Sequence, residues 1–397
     1  MTPNHRPAGF PVGERSLDLR RPHNEGGDLR AWDAADEQLV SEARARLEPG
    51  DRVAVVDDRC GALVLGLAEF MPTVIADSAT LTKAVDKNAT ANSLAVPVSH
   101  SWLDEAGVGT SGDEQSQRFD AVVLKVPRQL DYLEFLLRWS NRVLRPGGWL
   151  LTGGMIKHLP DQAASLYQRL VTTEAVFPAR KKARMVLCRP GAGTLDDWSG
   201  LWKGYSVNDS RLFIKALPAV FARERLDIGT RELLPLVAEA VRDLPTGARV
   251  LDLACGNGVL GLAALSTRPD LVVTFADVSS QAVISARANA LAWGFTSEQF
   301  RTAHADGVPS GSGRFQRVLL NPPFHDGGVV GDHIALRLFA EAADCLEEDG
   351  ELLMVGNRHL GYHRSLRSFF GDVRQLRATP KFVVFRAARP RQRAGRS

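Results

Sequence analysis

The chain has 397 residues and a formal net charge of +3. That length exceeds the reach of one hydrophobic core, so two domains are expected. Hydrophobic residues at 44% and charged residues at 24% exclude wholesale disorder, and the near-neutral total excludes nucleic-acid binding by bulk charge, leaving a local basic surface open.

Residues 1–28 read as a flexible lead. The first 15 are rich in Pro, Gly and Arg and carry no apolar core of a signal peptide. A helix is expected over 32–47, with Leu39, Ala43 and Leu47 on one face. Strands follow over 53–57, 73–76 and 120–126, then a helix over 132–144, a Pro146-Gly147-Gly148 turn and a strand over 149–152. These form a first domain over 29–190, and a Gly- and Asp-containing stretch, 191–200, reads as a linker. The alternation resumes in a second domain over 201–388. Its strands are expected over 249–253, 272–276, 317–320, 351–355 and 383–386, and its helices over 281–291 and 333–346. The tail, 389–397, holds Arg389, Arg391, Arg393 and Arg396 without an acid and reads as disordered. Each half is therefore α/β, a mostly parallel sheet with helices on both faces.

Cys60, Cys188, Cys255 and Cys345 stand far apart, with no ligand spacing, so neither zinc nor a disulfide framework is expected. No apolar run reaches the roughly 18 residues that cross a bilayer. A cytoplasmic protein with no membrane and no metal partner is expected, and its oligomeric state stays open. The halves look duplicated. Asp57 and Asp252, Asp77 and Asp277, and Leu124 and Leu320 recur at strand ends with an offset of about 195–200 residues.

The chemistry-bearing residues cluster in the second half. In Val250-Leu251-Asp252-Leu253-Ala254-Cys255-Gly256-Asn257-Gly258, an apolar strand meets an acid and then a glycine turn opening a helix. Glycine lets backbone approach a ligand at the carboxyl end of a first strand. Asp277 ends the second strand, beside Val278, where a carboxylate accepts ribose hydroxyl protons. Asp306, before Gly307, is placed to meet an adenine amino group. Three acids at successive strand ends predict a nucleoside pocket. Leu320-Asn321-Pro322-Pro323-Phe324 then follows a strand. The prolines stiffen the turn and donate no hydrogen bonds. Their carbonyls and the Asn321 amide oxygen remain as acceptors for the protons of an exocyclic amine, and Phe324 offers a face for a planar base.

On these residues the chain resembles class I S-adenosylmethionine-dependent methyltransferases that modify amino groups. Three further stretches, Ala31–Glu37, Leu226–Arg231 and Asn357–His363, look like the ribosomal RNA large subunit methyltransferase G family, sister to the small-subunit methyltransferase C group. Lys181-Lys182-Ala183-Arg184 and Pro380–Val384 fit as well. The resemblance spans about Leu29 to Arg386. It implies two tandem Rossmann-like class I methyltransferase domains, the first degenerate and helping to hold RNA. It also implies N2 methylation of a guanine in 23S ribosomal RNA with S-adenosyl-L-methionine as donor. Asp252, Ala254, Gly256, Asn257, Gly258, Asp277, Val278, Asp306, Gly307 and Asn321 would bind the donor, and Asn321, Pro322, Pro323 and Phe324 would serve the transfer. Ala254 departs from the family, which has glycine there, and its methyl group is expected to crowd the turn mildly.

The first half has Asp57-Asp58-Arg59-Cys60-Gly61, read as lacking the second glycine, and Lys125-Val126-Pro127-Arg128 in place of Asn321–Phe324. It is expected neither to bind donor nor to catalyse, with Lys125 and Arg128 free to touch phosphate. Lys181, Lys182, Arg184, Arg358, Arg364, Arg367 and the tail arginines form the basic inventory for RNA. His325, His359 and His363 read as loop-orienting or phosphate-contacting residues. Three readings compete: a 16S guanine-N2 methyltransferase sharing every catalytic residue, a protein glutamine N-methyltransferase (whose motif normally ends in tyrosine), and a non-catalytic RNA-binding factor.

Overall fold

The computed structural model describes residues 9–23, 30–104, 118–207, 213–323 and 333–391. The chain divides into two compact units, Met1–Leu201 and Trp202–Ser397. Each contains a seven-stranded sheet.

In the C-terminal unit the strands lie side by side in the order Phe300–His304, Val272–Asp277, Arg249–Leu253, Phe315–Leu320, Leu346–Asn357, Phe382–Pro390 and Phe370–Ala378. The first five run parallel, and Phe382–Pro390 is antiparallel to both neighbours. Side chains alternate across the central strands because a strand's period is two. Val250, Leu319, Leu353 and Val355 feed one core, with Leu233, Val237 and Leu262 from the helices Ile228–Arg242 and Val259–Thr267. Leu251, Val318, Leu320, Leu352 and Met354 feed the opposite core, with Leu338 and Phe339 of the helix His333–Cys345. The chain winds outward from Arg249–Leu253 in one direction, then returns to add Phe315–Leu320 on its other side. That reversal opens a crevice at the carboxyl ends of these two strands, where ligands of such sheets bind.

The N-terminal unit repeats the plan with Ser99–His100, Thr73–Ile75, Val53–Val56, Phe119–Lys125, Leu144–Met155, Ala183–Pro190 and Val171–Val176. Even the irregularities recur. The register shifts at the start of Leu144–Met155 and again at the start of Leu346–Asn357. The Pro146-Gly147-Gly148 turn is thus an irregularity within a longer strand.

Three boundary expectations need correction. Residues 9–23 are not a loose lead. Phe10–Val12 and Arg15–Leu17 form a hairpin, and Phe10 is buried with its ring 5.6 Å from that of Trp32. The 191–200 stretch is not a loose linker. Asn141 Nδ2 donates to the Gly193 carbonyl at 2.7 Å, Leu195 is buried, and Arg138 lies 5.4 Å over the Trp198 ring. At the other end, the last strand includes Arg389 and reaches Pro390, and Arg391 N–H donates to the Phe369 carbonyl at 2.7 Å. Arg393 and Arg396 lie outside the described residues. All four cysteines are buried free thiols.

Candidate active site

The strand registers bring the predicted residues to one edge. Leu253 lies opposite Ala276 on one side and Leu320 on the other, and Ala276 opposite Ala303. Ala254, Asp277, His304 and Asn321 therefore leave the sheet together.

The glycine turn is built on left-handed backbone. Gly256 has φ 55° and Gly258 φ 84°, the latter at the N-terminus of the helix Val259–Thr267. A side chain at Gly258 would meet Ala286 Cβ at 3.0 Å, so only glycine lets the helix Ser280–Ala292 pack there. At Gly256 a Cβ would meet nothing within 4 Å. Open space stands in front of that peptide. Ala254 also has positive φ, 58°. The expected crowding is not its difficulty. Its methyl packs against the core, and the cost lies in the backbone angle.

Asp252 is buried. Its Oδ2 accepts from Gly261 N–H at 2.8 Å, while Oδ1 has no hydrogen-bond partner. Burial pushes its pKa up to about 8, with the Gly261 hydrogen bond opposing and the Asp277 charge adding. Asp277 spans the turn: Oδ2 accepts from Gly256 N–H at 2.8 Å and Oδ1 from Ser279 N–H at 2.9 Å. Val278 follows it, an apolar side chain 36% exposed at the end of the strand. Its carbonyl lies 2.9 Å from His304 Nε2. Asp306 Oδ1 pairs with Arg337 Nη2 at 2.6 Å, and a Cβ at Gly307 would fall 2.0 Å from Glu341 Oε2. Asn257 Nδ2 donates to the Tyr205 hydroxyl at 3.1 Å, so Asn257 holds the turn in place.

Asn321 shows the arrangement most plainly. Its Nδ2 donates to Asp227 Oδ2 at 3.1 Å and to Thr230 Oγ1 at 2.9 Å. Its Oδ1 is buried and has no partner. Pro322 is buried and Pro323 exposed. Phe324 and His325 lie outside the described residues. His359 and Arg358 follow the strand Leu346–Asn357 at the same edge, and the His363 ring stacks 6.0 Å from Phe385. Tyr205 and Arg337 stand in no motif of the sequence, and Asp227 and Thr230 lie in the Leu226–Arg231 stretch that carries the resemblance, with no role at the site assigned to them from sequence. Asp227-Ile228-Gly229-Thr230 does carry a signal: Asp three residues before Thr, ahead of a helical apolar pattern, marks a capped helix start. Asp227 indeed accepts from Thr230 N–H at 2.9 Å.

The first half superposes on this plan with a shifted register. Val56 lies opposite Leu124 and Ile75, as Leu253 lies opposite Leu320 and Ala276. Asp57 (φ 55°) thus matches Ala254 (φ 58°), Arg59 matches Gly256 and Gly61 (φ 88°) matches Gly258 (φ 84°). The glycine lost is the first, not the second, and an arginine stands there. Asp57 and Asp77 are not counterparts of Asp252 and Asp277, whose places fall to Val55 and Ala76. Lys125 does match Asn321, but it does not reach phosphate. It is buried, 2.7 Å from Asp33 Oδ1 and 2.5 Å from Asp36 Oδ1. Burial opposes its charge, yet Asp36 and Asp33 hold its pKa above the usual lysine value.

A doubly wound parallel sheet, a glycine turn facing open space, an acid ending the second strand and Asn-Pro-Pro ending the fourth define a class I, S-adenosylmethionine-dependent methyltransferase. Known proteins agree. The methyltransferase small domain family matches residues 211–386, and the RLMG N-terminal domain family residues 8–192. The ribosomal RNA large subunit methyltransferase G of Alcanivorax borkumensis is 38% identical, covering 98% of each chain. That of Pseudomonas aeruginosa strain UCBPP-PA14 is 39% identical over 94% of this chain and 97% of its own. The T. thermophilus 16S rRNA N2 G1207 methyltransferase (RsmC), solved with AdoMet and guanosine, shares the fold: TM-score 0.73 at 22% identity, over 96% of this chain and 97% of that one. The chain belongs to the ribosomal RNA large subunit methyltransferase G family, with two tandem Rossmann-like domains.

Proposed function

We propose that this protein methylates the exocyclic N2 of a guanine in 23S ribosomal RNA, in the cytoplasm. The observation that carries this reading is Asn321 Oδ1, a buried amide oxygen without a partner at the crevice edge. A buried acceptor left unpaired is costly unless a ligand supplies the donor. An exocyclic amine has two protons to give. Asn321 Oδ1 and the Pro322 carbonyl would accept them, turning the nitrogen lone pair toward the crevice.

The residues present fit the donor. Gly256 offers the open approach for the methionine end, Asp252 Oδ1 an unsatisfied acceptor for its ammonium, and Asp277 and Val278 flank the ribose and adenine positions. Asp306 and Gly307, anchored by Arg337, close the adenine end. S-adenosylmethionine, when bound, supplies an electrophilic methyl on a sulfonium. Phe324 would stack on the target base, which must leave its helix to reach the edge. Positioning then carries most of the acceleration. No strong general base is required, since the methylated nitrogen is acidic enough to lose its proton to water.

The N-terminal unit would hold RNA without binding donor. Arg59 fills the place of the open glycine. Arg128, Lys157 and Arg59 gather at the same sheet edge, for after burial it is their repulsion that lowers the pKa of His158. All three are exposed. Lys182, Arg184, Arg358, Arg364 and Arg367 are exposed too, whereas Lys181 pairs with Glu37 at 2.9 Å.

The test offers tritiated S-adenosylmethionine with 23S RNA, 16S RNA or ribosomal subunits from a strain lacking the gene, followed by digestion to nucleosides. Label in N2-methylguanosine from 23S RNA, cut by about a hundredfold or more in Asn321→Ala, is the expected result. Label in 16S RNA alone would move the activity to the small subunit. No label in any RNA despite donor binding would defeat the substrate assignment.

A further inference from the structure

Building on the proposed guanine-N2 reading, we infer that Thr230 and Asp227 are positioning residues that set which end of the Asn321 amide faces the substrate. An asparagine amide has two ends of nearly equal shape and opposite hydrogen-bonding sense. With Oδ1 toward the base, the site accepts amine protons. With Nδ2 toward the base, donor faces donor and the lone pair is turned away. The turn Asn321-Pro322-Pro323 fixes the backbone but not this choice.

The choice is made from the far side. Asp227 presents a carboxylate, which accepts only, 3.1 Å from Nδ2, and Thr230 presents Oγ1 at 2.9 Å. A flipped amide would set its oxygen against the carboxylate. Asp227 cannot swing away cheaply, because the same Oδ2 caps the helix by accepting from Thr230 N–H at 2.9 Å. Both Nδ2 protons are thus used behind the amide, and Oδ1 is left buried and unpartnered.

The other half of the chain builds the same contact with different residues. There Asp33 is the helix N-cap, Asp36 stands three residues on, and the donor after the fourth strand is Lys125 Nζ, at 2.7 and 2.5 Å. An ammonium has no acceptor to offer. One geometry therefore ends in a closed ion-pair cluster in the N-terminal unit and in an unpartnered acceptor in the C-terminal unit. The difference lies in whether the donor group carries an oxygen on its other end.

The experiment uses the full-length protein and the RNA that the wild type labels. Thr230→Val keeps the branched shape and removes the acceptor. Its kcat should fall about tenfold, the worth of one well-placed hydrogen bond, with donor Kd by calorimetry and the urea midpoint unchanged. Thr230→Ser should restore the rate. On an Asn321→Ala background, Thr230→Val should cost nothing further in residual tritium transfer. A wild-type rate in Thr230→Val would overturn the inference, as would the same fold-loss on both backgrounds or a parallel loss of donor affinity. Wild-type protein that labels no RNA would overturn the function reading itself, and this inference with it.

Discussion

Ala254 sits at φ 58° where L-residues pay for left-handed backbone. Ala254→Gly should raise stability by about 0.5–1 kcal/mol, the left-handed penalty less the extra chain entropy glycine loses on folding. Urea unfolding reads this directly, and a lowered midpoint would contradict it. Asp252 makes a second prediction. Its folded pKa is pushed up to about 8, chiefly by burial. A carboxyl whose folded pKa lies above its unfolded value binds more protons when folded, so its contribution to stability falls as pH rises between the two. The window here opens near the ordinary carboxylate value of about 4 and closes near 8. The stability of Asp252→Asn relative to wild type should therefore climb across that window in the free protein. A difference that stays level from acid to alkaline pH would remove Asp252 as the titrating group.

Two asparagines do the same work in the two units, each tying an upstream segment to the glycine turn. Asn289 Nδ2 donates to the Lys215 carbonyl at 2.8 Å and the Asn257 carbonyl at 2.9 Å, and its Oδ1 accepts from Lys215 N–H at 3.0 Å. Asn88 repeats this with Arg20 and Cys60, at 2.9, 2.8 and 2.9 Å. Asn289→Ala strips partners from these backbone groups and should cost about 2–3 kcal/mol, measured as a shift in the urea midpoint. A loss below a few tenths would mean that water replaces the side chain freely. These clamps were invisible in the sequence, because a single asparagine in a helical pattern carries no sign of which distant backbone it reaches. The central strands were legible: 249–253 and 272–277 are apolar runs with both faces covered. Strands Phe300–His304, Phe370–Ala378 and Val171–Val176 were not read as strands. They are sheet edges, and the last two are exposed along most of their length. The polar residues that keep an edge from pairing with another chain also hide it from a search for apolar runs. The acids at the strand ends were legible for the opposite reason, since an acid after an apolar run stands out. Asp227 and Thr230 belong to a helix start about 90 residues before Asn321, and only the fold joins them.

At the scale of the molecule, one duplicated plan has been closed in one copy and left open in the other. The closure rests on Lys125 between Asp33 and Asp36. Asp36 is the more burdened of the two carboxyls. Burial pushes its pKa up to about 6 even against the attraction of Lys125, with Asp33 and Asp58 adding to the rise. Removing the cation while keeping its bulk, in Lys125→Met, leaves two neighbouring carboxylates without compensation, an arrangement that costs about 3–5 kcal/mol when both are ionised. Without the lysine both folded pKa values rise, that of Asp36 further above the unfolded value of about 4 and that of Asp33 from the lowered value Lys125 gives it. The native state then gains protons on acidification, so the penalty must shrink as pH falls toward 4 and grow as it rises toward 8. Urea unfolding of wild type and variant at pH 5 and pH 8 tests this: the gap in stability should be several-fold larger at pH 8. Donor affinity should be the same in both proteins, because the residues proposed to hold the donor, Gly256, Asp252 and Asp277, belong to the other copy. An equal gap at both pH values would mean that the cluster is stabilised by packing around the lysine stem rather than by its charge. A loss of donor affinity would mean that the N-terminal copy still takes part in holding the donor, against the division of labour argued from Arg59 and Gly256.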